Sequence, residues 1–90
     1  MIYSTESVEK LLSEGISSKL ISPGFAATMA YSIIYRLGKV DSKTALRAVE
    51  RAVALAGPKE RYEDENAHGE AQVEALDEIL EAMEFAQNNL

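Results

Sequence analysis

Glycines divide this chain into segments of helical length, and this division constrains its fold more than any other feature. Gly15, Gly38 and Gly57 each follow a segment whose apolar residues recur at intervals of three and four. That periodicity is typical of an amphipathic helix with a glycine just after its end. The pattern predicts an all-α fold, a compact bundle of three to four antiparallel helices. In a chain of 90 residues, positions 1–90 are expected to form a single helical domain.

The limits of the predicted helices follow from their capping residues. Serine, threonine and aspartate are favoured before a helix, proline at its first position and glycine after its end. The predicted spans are 5–14 for the first helix, Ser22-Pro23 to 37 for the second, and Asp41 or Ser42 to Gly57 for the third. The fourth predicted helix includes 70–88 and begins between 59 and 69.

The second predicted helix is apolar nearly all round. Thr28, Ser32 and Arg36 form one narrow polar stripe along it. A helix of this kind is usually covered by neighbours on most sides. We therefore expect it at the centre of the bundle, with the fourth helix packed along it.

The chain contains no cysteine. Neither a disulfide nor a thiolate metal site can stabilise it, and cysteine catalysis is excluded. A domain of this size buries only about 60–65 % of the surface that its unfolded chain exposes, so its own core gives little stability. We therefore expect the protein to associate with itself as a homo-oligomer.

Composition also predicts where the protein resides. The first fifteen residues contain acids and no apolar run typical of a signal peptide. The longest apolar-rich stretch, 25–37, is too short to span a membrane and is interrupted by polar residues. We therefore expect a soluble cytoplasmic protein with no membrane partner. Its formal net charge of -6 argues against direct binding to nucleic acid, because the phosphates require basic residues.

Acidic residues are concentrated towards the end of the chain. From Glu60 to Glu84 there are ten carboxylates and one base, Arg61, whereas 1–49 contain six bases and four acids. The fourth predicted helix gathers six carboxylates on one side, here named the acidic face: Glu70, Glu74, Asp77, Glu78, Glu81 and Glu84. Acids four residues apart without intervening lysines repel one another. The acidic face is therefore predicted to bind a positively charged partner. This partner is either a basic patch on another protein or the basic face of the third predicted helix in another protomer. The alternative is a face that is simply solvated.

Phe85 lies among these acids on a helical wheel and well away from the apolar side of the helix. A large aromatic residue with a charged rim is typical of an interface anchor. Phe85 is therefore predicted to belong to the partner-binding surface. The alternative is that Ile2 and Tyr3 of the same chain cover it.

Glu60 and Glu63, followed by Glu74 and Asp77, form an ExxE and an ExxD pair. This arrangement resembles the signature of the all-α, MazG-like nucleoside triphosphate pyrophosphohydrolases. The resemblance implies a hydrolase in which the four carboxylates hold Mg²⁺ on a triphosphate. Without the resemblance, we predict neither a metal site nor a cofactor. His68 is the only histidine, and in its polar segment it is expected to be solvated rather than to ligate a metal.

The predicted function is a small, acidic, non-enzymatic protein-binding module, that is, an accessory, adaptor or inhibitor protein. It would act through the acidic face of its C-terminal helix. Two alternatives remain open. One is the metal-dependent hydrolase. The other is a nucleic-acid mimic that blocks a DNA- or RNA-handling protein, a type that small acidic phage-encoded proteins resemble in size and charge.

Overall fold

The computed structural model describes residues 10, 12, 20–22, 24–38 and 41–88. This part of the chain contains three α-helices and a short 3-10 turn, besides the two helical residues Lys10 and Leu12. The elements are α1 (Ala26–Leu37), α2 (Ser42–Ala56), the 3-10 turn (Lys59–Arg61) and α3 (Glu65–Asn88). These residues contain no strand, so the predicted all-helical fold is confirmed. No helix among them is long and apolar enough to cross a membrane.

Glycine and aspartate end and begin the helices where the sequence predicts. Gly38 follows α1 with φ 65°, and Gly57 follows α2 with φ 80°. Such positive φ values are costly for residues that carry a Cβ. Asp41 precedes α2, and its carboxylate accepts a hydrogen bond of 2.8 Å from the Thr44 backbone N–H. These are interactions within a few residues, which explains why the sequence alone predicts them.

The prediction that Ser22-Pro23 opens the second helix is wrong, because α1 begins at Ala26. The Phe25 N–H instead donates to the Ser22 carbonyl oxygen in a turn that precedes the helix. The Ser22 hydroxyl donates to the Glu65 carbonyl oxygen at 2.8 Å. The side chain that was expected to cap α1 therefore binds the start of α3. Pro23 lies outside the described residues.

Little of the first predicted helix, 5–14, lies within the described residues. Lys10 and Leu12 are described, and both are helical. Leu12 is completely buried and belongs to the core, whereas Lys10 is exposed. The remainder of this predicted helix, including its expected end at Gly15, lies outside the described residues.

The fourth predicted helix, α3, begins at Glu65, within the predicted interval of 59–69. The Asp64 carboxylate accepts a hydrogen bond of 2.7 Å from the Ala67 backbone N–H, which is the usual role of an N-cap aspartate. Tyr62 precedes the helix, and its hydroxyl donates to the Ala56 carbonyl oxygen. The helix continues through Gly69, which is buried.

Among the helices that the structure describes, the central one is α3 and not the second predicted helix, α1. α3 contacts both α1 and α2, which make few contacts with each other. α1 exposes Tyr31 and Tyr35, whose rings stack with their centroids 6.0 Å apart. Tyrosine tolerates such a position because its ring is apolar and its hydroxyl is polar. The helix α1, although apolar nearly all round, is therefore not buried on all sides.

The core lies along the inner side of α3. Leu76 and Leu80 are completely buried there against residues of α1 and α2. The other buried residues of this cluster are Leu12, Ile21, Met29, Ala30, Ile33, Ala45, Ala48, Val49 and Ala52. The alanines all lie on α1 or α2, where a small side chain allows close approach of two helices. This packing fixes which side of α3 faces outward.

Candidate protein-binding surface

The outer side of α3 carries the acidic face that the sequence predicts. Glu70, Glu74, Glu78 and Glu81 are exposed, and Asp77 is half-buried. Glu84 is also half-buried, because it lies at the side of α3 that adjoins α1. The exposed carboxylates extend over about three turns of helix. They therefore form one continuous anionic surface.

Most of the acidic face has no ion-pair partner among the residues that the structure describes. Glu84 forms an ion pair of 3.6 Å with Arg36 of α1. Within the described residues, no other carboxylate of the acidic face forms an ion pair. Glu70 accepts a long hydrogen bond of 3.4 Å from the Asn66 side chain. An ion pair this exposed contributes little, about 0–1 kcal/mol. The other carboxylates have no ion-pair partner within the described residues, so no described cation offsets their mutual repulsion.

Phe85 lies on the same outer side of α3, one turn beyond Glu81. The side chain is 69 % exposed, so it does not belong to the buried cluster along the inner side. Ile2 and Tyr3, the alternative cover for this ring, lie outside the described residues. An aromatic ring with this exposure next to carboxylates fits the predicted interface anchor.

The four carboxylates of the hydrolase resemblance do not converge on one point. Glu60 lies in the 3-10 turn and Glu63 follows it, whereas Glu74 and Asp77 lie in α3. Among the residues that the structure describes, no group of three or more histidine or acidic side chains is arranged to hold a metal ion. The arrangement therefore offers the resemblance no support.

His68 is not solvated, so that expectation is wrong. It is only 7 % exposed, and its ring stacks on that of Tyr62 with the centroids 5.2 Å apart. Its Nε2 lies 3.0 Å from the Gly57 carbonyl oxygen. A carbonyl oxygen only accepts, so this nitrogen carries the hydrogen and donates. His68 therefore ties the end of α2 to the first turns of α3.

Gln72 is a structural residue that the sequence did not reveal. It is completely buried, its Oε1 accepts from the Ser22 N–H at 2.9 Å, and its Nε2 donates to the Leu20 carbonyl oxygen at 2.7 Å. Both partners are backbone groups about fifty residues away along the chain. A glutamine in a helix gives no local signal of such a role, because its type fits an exposed position equally well.

A second charged surface lies between α2 and α3, on the basic face of the third predicted helix. Lys43, Arg47 and Arg51 of α2 are exposed and line a groove of about 310 Å³, together with one acid, Asp41, and with Ile79 and Met83 of α3. We name it the cationic groove. Within the described residues, none of its three cations forms an ion pair. The spacing of four residues between these bases is visible in the sequence, but the apolar residues that line the groove belong to another helix.

Comparison with known proteins adds no relative. No protein-family model matches this chain, and no curated protein or solved structure matches it.

Proposed function

We propose that this chain is a small, non-enzymatic protein-binding module that acts in the cytoplasm as an accessory, adaptor or inhibitor protein. Its acidic face, with Phe85, would bind a basic surface of another protein. The supporting observation is the row of four exposed carboxylates on α3, Glu70, Glu74, Glu78 and Glu81, none of which forms an ion pair within the described residues. A cationic partner would relieve this repulsion and would be attracted from a distance.

The scaffold that we propose for this module is an antiparallel bundle of three to four helices. The segments between α1 and α2 and between α2 and α3 are short, and short connections favour antiparallel neighbours. In such a bundle α3 would present its acidic face on the outside along most of its length. A rigid helix holds the carboxylates at fixed spacing, which reduces the entropy that binding costs.

The test compares two variants, each of which removes three negative charges, but from different parts of the surface. The first, E74Q/E78Q/E81Q, neutralises the centre of the acidic face. The matched control, E50Q/E60Q/E63Q, neutralises three exposed carboxylates elsewhere. Proteins that the wild type captures from a cell lysate would be identified by mass spectrometry. Each captured protein would then be purified and titrated by calorimetry against the wild type, the first variant and the control.

We expect the first variant to bind the purified partner at least about tenfold more weakly, with a smaller dependence on salt, because the attraction arises from these charges. The control should bind like the wild type. Equal binding by all three proteins would refute the assignment of the surface. Competition by duplex DNA for the same partner would indicate the nucleic-acid mimic, because DNA would then occupy the partner's basic groove.

A further inference from the structure

The acidic face and the cationic groove occupy adjacent sides of the same molecule. Glu78 belongs to the acidic face, whereas its neighbour Ile79 lines the groove. Ala75 and Ala82 lie between the two surfaces on a helical wheel, and Ala82 is exposed. One helix, α3, therefore carries a row of anions along one side and borders a row of cations along the other.

We propose that the cationic groove receives the acidic face of a second copy of this chain. The two α3 helices would pack parallel about a two-fold axis that runs along them, so that the acids of each copy contact the α2 bases of the other. This inference rests on the proposed binding role of the acidic face, and it names the partner that the surface has in the isolated protein.

The two rows match in sign and in spacing. Lys43, Arg47 and Arg51 follow one another at intervals of four residues, as do Glu70, Glu74 and Glu78. Four residues of helix rise about 6 Å, so the rows have the same repeat when the helices lie side by side. Neither row has another ion-pair partner within the described residues. Association would therefore pair exposed charges that have no ion-pair partner in the described part of one copy.

The position of the two surfaces also allows a closed dimer, in which neither surface is left open. When both complementary patches lie on one molecule, a two-fold axis repeats each contact and leaves no patch open for a third copy. Ala75 and Ala82 permit the two α3 backbones to approach closely along the axis. Ile79 and Met83, which are only half-buried in one copy, would lose their remaining contact with water.

The test measures mass by sedimentation equilibrium at tens of micromolar protein. The wild type should be a dimer that dissociates as salt is raised. The variants R47E/R51E and E74K/E78K should each be monomeric, because like charges then face each other and raise the dissociation constant on the order of a hundredfold or more. The matched control E60K/E63K makes the same charge change outside both surfaces and should remain a dimer.

Mixing the two monomeric variants gives the sharpest result. In a mixed pair, the new α2 acids of one variant face the new α3 lysines of the other, and the reverse contact is also complementary. The mixture should therefore sediment as a dimer, and so should the single chain R47E/R51E/E74K/E78K. Both monomeric variants keep a net negative charge, so bulk attraction does not explain a dimer. R47E/R51E should stay monomeric when mixed with E60K/E63K.

Three outcomes would overturn the inference: a monomeric wild type, a charge-reversed variant that remains a dimer, or a mixture that remains monomeric. Circular dichroism would establish that each variant is folded, and R47Q/R51Q would replace a reversed variant that does not fold. These measurements involve no foreign protein. Their failure would leave the proposed function standing, and the calorimetric comparison would still test it.

Discussion

Phe25 lies against Gly69 so closely that a Cβ built at residue 69 would come within 2.2 Å of the Phe25 Cδ2 atom. Glycine is unfavourable inside a helix by about 1 kcal/mol relative to alanine, yet here only glycine leaves room for the ring. Gly69→Ala is therefore expected to destabilise the protein by about 1–3 kcal/mol, the usual cost of overpacking. Chemical denaturation followed by circular dichroism measures this change.

The control for this prediction is the same substitution in a Phe25→Ala background. Without the ring, Gly69→Ala should stabilise the protein, because only the helix propensity of alanine remains. If Gly69→Ala stabilises the protein while Phe25 is present, the close contact does not exist.

Gln72→Leu should destabilise the protein by about 1–3 kcal/mol, because it leaves the Ser22 N–H and the Leu20 carbonyl without their buried partner. Hydrogen exchange should show the Ser22 amide losing protection. Asn66→Leu on the exposed side of the same helix is the control and should change stability little. An equally stable Gln72→Leu protein would mean that this hydrogen bonding adds nothing.

The Asp41 cap should make stability depend on pH. Hydrogen bonds from Thr44 lower the pKa of the Asp41 carboxyl below its ordinary value of 3.8. The charged form is therefore favoured by folding, so its stabilisation is present above about pH 3.8 and is lost as the pH falls through the lowered pKa. Asp41→Asn keeps an acceptor that does not titrate. Its melting temperature should lie below that of the wild type near pH 7, and the difference should shrink as the pH falls below 3.8. A constant difference would contradict the lowered pKa.

Phe85→Ala should leave the fold intact, because most of the side chain is exposed. The same variant should lose about 2 kcal/mol or more of affinity for a partner of the acidic face if the ring is a central anchor. Leu80→Ala, which empties a fully buried position, is the opposite control and should cost about 2–5 kcal/mol of stability. Unfolding of Phe85→Ala would assign the ring to the core instead.

Millimolar Mg²⁺ should leave the melting temperature nearly unchanged. The carboxylates of Glu60, Glu63, Glu74 and Asp77 do not form a group arranged for a metal ion, and an ion present at 100 times its Kd would add about 2.7 kcal/mol. Differential scanning fluorimetry with and without Mg²⁺ measures the shift. A melting-temperature shift that corresponds to a stabilisation of about 2.7 kcal/mol and that disappears in Glu74→Gln would favour the hydrolase. Pyrophosphate release from a nucleoside triphosphate would also favour it.

The outward position of the acidic face could be predicted because it depends on helical periodicity alone. Glu74, Glu78 and Glu81 follow the spacing of one helix side, and all three are exposed as the wheel indicates. Only one side of the cationic groove, its row of bases, could be predicted from the sequence. The spacing of its bases is local, but Ile79 and Met83, which border it, come from another helix.

The sequence by itself determined the features that depend on neighbouring residues. The helical class, the ends of helices at Gly38 and Gly57 and the Asp41 cap all arise from backbone geometry and hydrogen bonds within one turn. Only the tertiary structure decided that α3 contacts both other helices, that Gly69 accommodates Phe25, and that Gln72 and His68 are buried. These features depend on contacts between residues up to about fifty positions apart, such as Ser22 with Gln72. The composition of a single segment does not specify which distant segment packs against it.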